Sequence, residues 1–154
     1  NQKVFRGVYE VMDSINLITN AISVSLNGEF GDSYKNYTEE VKQGLEEPCF
    51  FISCINPTHN LFLGKRYFRE NQFCIQYFPA DKQNPKAECH AVAERMEFCL
   101  EWITVTGDLV RGSKMKSEIV DGVLNFFVNY DMFVYRKVDS VPMEDVSQNI
   151  SVKG

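Results

Sequence analysis

Between residues 121 and 137 the chain reads DGVLNFFVNYDMFVYRK, and its apolar positions fall on alternate residues. Leu124, Phe126, Val128, Tyr130, Met132 and Val134 form an unbroken row. The positions between them mix Asn125, Asn129 and Asp131 with Phe127, Phe133 and Tyr135. Side chains on a strand point to opposite faces with period two, so the stretch predicts a long strand with its even row in a core. The odd row carries more aromatic surface than a solvated face requires.

Elsewhere the period changes. From Asp13 to about Asn27, Ile15, Ile18, Ile22 and Leu26 recur at helical spacing, with Asp13 or Ser14 placed to cap the first turn and NGEFG to stop the last. A short strand is expected around Tyr37–Val41, and CFFISCIN reads as a buried strand followed by an NPTHN loop. LFLGKRYFRENQFCIQYFP reads as a strand pair or one long bent strand, with Phe73, Ile75 and Tyr77 on the core face and Pro79 at its end. Asn84 and Pro85 open a second helix that Val92, Met96, Cys99 and Ile103 extend to about Val105. Glu94, Glu97 and Glu101 stripe its outside, and Phe98 and Trp102 form a second apolar edge. KMKSEIV-DG-VLNFF predicts a hairpin about Asp121-Gly122, or a continuous strand with a glycine bulge. Helix, strands, helix, strands make an α+β domain: a mainly antiparallel sheet with two principal helices packed on one face. The single domain spans residues 12–137, with an N-terminal extension or arm at 1–11 and a polar tail at 138–154.

Composition then narrows the function. The chain has 154 residues and a net charge of −5, which opposes broad phosphate-backbone binding. The basic cluster of Arg111, Lys114 and Lys116 in RGSKMK reads as a flexible loop that could order against an acidic partner surface. Five cysteines without framework spacing read as reduced thiols of a cytosolic protein. No signal peptide or membrane span stands out, and the acceptor patterns at Asn36 and Asn149 leave a secreted glycoprotein as a weaker option. His59 and His90 lack zinc spacing to any cysteine, so neither metal nor cofactor is expected. A small thiol enzyme using Cys54 or Cys89 with a histidine is the alternative from another class. Surplus aromatic surface instead favours an assembly subunit, with Phe98, Trp102, Phe127, Phe133 and Tyr135 as candidate subunit or partner contacts.

Four stretches, YTEEVKQGLEEPCFFI, GKRYFRENQFCIQYFP, AERMEFCLEWI and EIVDGVLNFFVNYDMFVY, occur in an order that resembles the tail terminator proteins of phages, prophages and phage-tail-like bacteriocins of Gram-positive bacteria. The resemblance covers about Met12 to Lys137. It implies helices on a mainly antiparallel sheet and a ring, typically of six copies, that caps the tail tube and halts its polymerisation. The implied partners are the chain itself, the tail tube protein, and sheath and neck or head-completion proteins. The implied location is the bacterial host cytoplasm during assembly, then the head-proximal end of the tail. Another neck or tail-completion protein is the neighbouring reading. The family offers no active-site residues to carry over.

Overall fold

The computed structural model describes residues 13–135 together with two short strands at Val4–Phe5 and Val8–Glu10. In chain order the elements are β1 (Val4–Phe5), β2 (Val8–Glu10), α1 (Ser14–Phe30), β3 (Lys35–Tyr37), β4 (Cys49–Leu63) and β5 (Arg66–Phe78). They continue as α2 (Pro85–Cys99), β6 (Trp102–Val105), β7 (Asp108–Arg111), β8 (Ser113–Val120), β9 (Val123–Asn129) and β10 (Met132–Tyr135). The predicted tail, residues 138–154, lies outside the described residues.

Strand β5 organises the sheet. One of its edges pairs with β4 along its whole length. The other takes β9 over Gln72–Tyr77 and β10 over Arg66–Arg69. These ladders and that of β8 on β9 are antiparallel, whereas β3 on β4 and β2 on β10 are parallel. The registers place Ile52, Ile75 and Phe126 opposite one another, so three strands present one apolar face. Helix α1 covers it with Ile18, Ile22, Leu26 and Phe30, and α2 with Cys89, Val92 and Met96, all buried. The Phe30 and Phe50 rings meet at 5.0 Å. Fully burying each large apolar side chain contributes about 1.5–3 kcal/mol, enough to hold both helices on this face. The expected α+β architecture is the one observed.

The even row of residues 124–134 is buried throughout, but it spans two strands. The chain breaks at Tyr130-Asp131, where Asn71 replaces the interrupted ladder. Its side-chain amide donates to the Tyr130 carbonyl at 3.0 Å, and its carbonyl accepts from the Tyr130 N–H at 2.8 Å. Its own N–H donates to Asp131 Oδ1 at 3.3 Å. The Tyr130 hydroxyl crosses the core to donate to the Leu100 carbonyl at 2.6 Å.

Other boundaries differ from expectation for local reasons. Helix α1 carries Gly28 inside it and ends at Gly31, with φ 90°. Neither Asp13 nor Asn84 makes a side-chain cap bond; Asp81 instead accepts from the N–H groups of Gln83 and Asn84. The strand expected near Tyr37–Val41 lies at Lys35–Tyr37. The NPTHN segment is not a loop: β4 runs through it, and a register shift between Ile55 and Thr58, with Asn56 at φ 48°, absorbs Pro57. Helix α2 stops at Cys99 rather than near Val105, because Ile103 and Val105 reach the core by alternation and their strand pairs with β7. Trp102 is therefore a strand residue and not the helical neighbour of Phe98. RGSKMK forms the end of β7 and the start of β8, not a flexible loop. The hairpin at Asp121-Gly122 forms as expected, with φ of 53° and 77°, the pair of positive values a type I′ turn demands.

Gly112 joins β7 to β8 where backbone and ring crowd together. A Cβ there would lie 2.7 Å from the Leu100 carbonyl oxygen and 2.8 Å from Val128 Cγ2. Gly112→Ala is expected to destabilise the fold by about 1–3 kcal/mol, as overpacking does, read as a lower urea midpoint at unchanged slope. Glu88 anchors α2 by accepting from the Tyr77 hydroxyl and from the N–H groups of Ala80 (3.0 Å) and Asp81 (2.9 Å). Burial would raise this carboxyl, but the Tyr77, Asp81 and Ala80 hydrogen bonds outweigh it and hold it below its ordinary value. A lowered folded-state pKa means its contribution is full above the unfolded value of about 4.3 and fades as pH falls through the folded one. Glu88→Gln should cost about 1–3 kcal/mol near neutrality and flatten the acid-side loss of stability, measured by urea titrations from pH 7 to 3.

Candidate interaction surfaces

Two apolar surfaces lie open. The first is the tip of the β4–β5 hairpin, where Leu61, Phe62 and Leu63 are 64%, 57% and 71% exposed. The second lies where α2 gives way to β6 and β7: Phe98, Trp102 and Leu109 are 80%, 49% and 65% exposed. Large apolar groups left this open in clusters mark contact sites more often than solvated surface.

The sequence-derived candidates distribute over three places. Phe98 stands on the last turn of α2, flanked by Glu94 and Glu97. Trp102 pairs across the β6–β7 ladder with Arg111, whose guanidinium sits 5.8 Å from the indole and 3.4 Å from the Glu101 carboxylate. Lys114 has φ 54° at a register shift in β8, and Lys116 lies 5.4 Å over the Phe127 ring. Phe127, Phe133 and Tyr135 all point to the sheet face away from the helices, and each is half-buried. Phe133 is enclosed by its own chain: the Phe62 and Phe68 rings each lie 5.0 Å away and Arg66 lies at 5.8 Å. Tyr135 stands opposite Arg66 on one side and Glu10 on the other. Trp102 and Arg111 are thus brought together, as are Lys116 and Phe127. The hairpin tip was missed. Its signal, three consecutive apolar residues running into Gly64-Lys65, reads as strand interior until the turn position is known.

On the helix-free face, at the opposite end of the β4–β5 hairpin from its tip, a groove of roughly 280 Å³ is lined by Val41, Leu45, Phe51, Gln76, Phe78 and Glu40. The segment that walls it, residues 38–47, carries Glu39, Glu40, Glu46 and Glu47, with Lys42 as its own cation. Glu47 pairs with Lys82, and the other three glutamates form no ion pair among the described residues. The sheet edge at β8 has a different character. Among the described residues it pairs with β9 alone, its ladder is interrupted between Ser113 and Lys116, and Lys114, Lys116 and Glu118 are exposed along it. Charge and irregularity of this kind discourage strand addition.

The thiols are poor nucleophiles. Burial pushes Cys49 up to about 11 and Cys99 up to about 12, and it also raises Cys54, Cys74 and Cys89. Cys89 points its Sγ at the Gly122 carbonyl, 3.8 Å away, while His90 beside it is exposed. His59 stacks on Tyr67 at 4.5 Å and lies 3.4 Å from Arg69 Nη1. Among the described residues no group of three or more His, Cys, Asp or Glu side chains gathers as metal ligands. No helix among them is long and apolar enough to cross a membrane.

No curated protein shows significant similarity to the chain. A family profile described as phage tail terminator protein, however, matches residues 17–142. That match spans α1 from Leu17 onward, all of α2, the organising strand and both open surfaces. The chain therefore belongs to the phage tail terminator protein family and is a structural component of tail assembly.

Proposed function

We propose that copies of this chain close into a ring, six in the pattern its family resemblance implies, which caps the tail tube at the head-proximal end. The ring stops addition of further tube subunits and presents a surface to neck components and, in a contractile tail, to the last layer of sheath. Assembly takes place in the bacterial host cytoplasm, and the ring then stays with the tail. It works by binding and catalyses no reaction.

The open apolar surface at Phe98, Trp102 and Leu109 carries this reading. Solvent-facing rings contribute little to a lone subunit, whereas an obligate interface buries more than roughly 2,000 Å² with an apolar centre. Phe127, Phe133 and Tyr135, on the helix-free face, are proposed to lie near subunit junctions. Phe133 also packs inside its own subunit, so a change there perturbs fold and assembly together. Phe98 separates the two effects. Arg111, Lys114 and Lys116 border the same region and suit an acidic partner surface.

Purified tube protein polymerised with increasing amounts of this chain should give progressively shorter tubes with the chain at one end in electron micrographs. Tube lengths unchanged at saturating amounts would refute capping; binding without shortening would point to a neck-joining role. Phe98→Asp should weaken the capping at least tenfold while leaving the fold within about 0.5 kcal/mol of wild type, as exposed substitutions do. For the non-enzymatic reading, all five thiols should label slowly with a disulfide reagent at pH 7 and rapidly in urea, because raised pKa values leave little thiolate. One thiol reacting faster in the folded protein than in urea would revive a thiol enzyme.

A further inference from the structure

We infer that the ring closes by head-to-tail docking of the β4–β5 hairpin tip of one copy into the acidic groove at the base of the same hairpin in the next copy. The inference rests on the ring reading above and assigns its contact. Two complementary surfaces of one chain carry it.

The tip is convex, apolar and basic. Leu61, Phe62 and Leu63 lead into Lys65 and Arg66, all exposed, and no acidic residue occurs between Asn56 and Arg69. Among the described residues Lys65 forms no ion pair, and Arg66 lies 5.8 Å from the Phe133 ring. The groove is concave, apolar and acidic. Val41, Leu45, Phe51 and Phe78 line it together with the Glu40 carboxylate, and the chain segment that walls it, residues 38–47, holds four glutamates against one lysine. Its roughly 280 Å³ is room for two or three apolar side chains of the size the tip offers. Both surfaces are apolar, while shape and charge sign are opposite between tip and groove. A surface of that kind steers its own counterpart and rejects a copy of itself.

Position gives the closure. Tip and groove lie at the two ends of a strand that runs from Cys49 to Leu63, on the order of 40 Å apart at about 3.3 Å per residue. Two different patches at opposite ends of a subunit are what a heterologous, ring-generating contact needs. The other obvious route, strand addition at β8, is opposed by its broken ladder and its charges.

The test uses the full chain and charge reversal on exposed positions, followed by sedimentation velocity in about 0.1 M salt, where the Debye length is about 10 Å. One variant carries Lys65→Glu with Arg66→Glu, and the other carries Glu40→Lys, in the groove lining, with Glu46→Lys, next to the lining residue Leu45. Each alone should associate at least tenfold more weakly than wild type, with an unchanged circular dichroism spectrum. Mixed in equal amounts, the two should assemble again, because each reversed tip now meets a reversed groove and each native tip a native groove. Recovery on mixing also shows that both variants are folded. If wild type assembles and both variants assemble as well as it does, or if mixing restores nothing, tip-in-groove docking is wrong while the ring reading stands. If wild type stays monomeric both alone and with tube protein, both readings fail.

Discussion

Two partners share one edge of β5, and the constraint this creates runs through the whole molecule. Every N–H and C=O along a buried strand must be bonded, so the point where β9 hands over to β10 cannot simply be left open. Asn71 closes it with its side-chain amide and its own backbone, and Tyr130 ties the same point to the end of α2 through the Leu100 carbonyl. The sheet is thereby divided. The half that pairs with β9 is roofed by both helices. The half that pairs with β10 runs on toward the hairpin tip, where Leu61, Phe62 and Leu63 meet solvent. An exposed apolar tip is thus the far end of the same ladder that builds the core.

Much of this was legible in the residues. Alternation over 124–134 gave the buried row correctly, since burial depends on side-chain direction and survives the break at Tyr130-Asp131. The break itself depends on Asn71, a residue 59 positions away from Tyr130, and no local pattern announces it. The overlong second helix has another cause. Val92, Met96, Cys99 and Ile103 fit helical spacing, but Ile103 and Val105 fit alternation equally well, and pairing with β7 decides between them. The NPTHN segment misled through its proline, which sits at the register shift that a long antiparallel pair can accommodate.

The surfaces were less legible than the fold. Phe98 and Trp102 were singled out as one helical edge, and they lie instead on two elements, each exposed for its own reason. The aromatics at 127, 133 and 135 share a sheet face as the alternation requires, yet Phe133 is half enclosed by rings from its own hairpin. A sequence records which residues can be sticky. Which of them the chain covers by itself is settled by long-range pairing.

The irregular, charged edge at β8 has a consequence for any protein whose role is to end a polymer. Regular strands stack sideways without limit, and a cap with an inviting border would seed the growth it is meant to finish. With Lys114 kinked out of register and Lys114, Lys116 and Glu118 charged along the rim, this border is a poor template for a further strand.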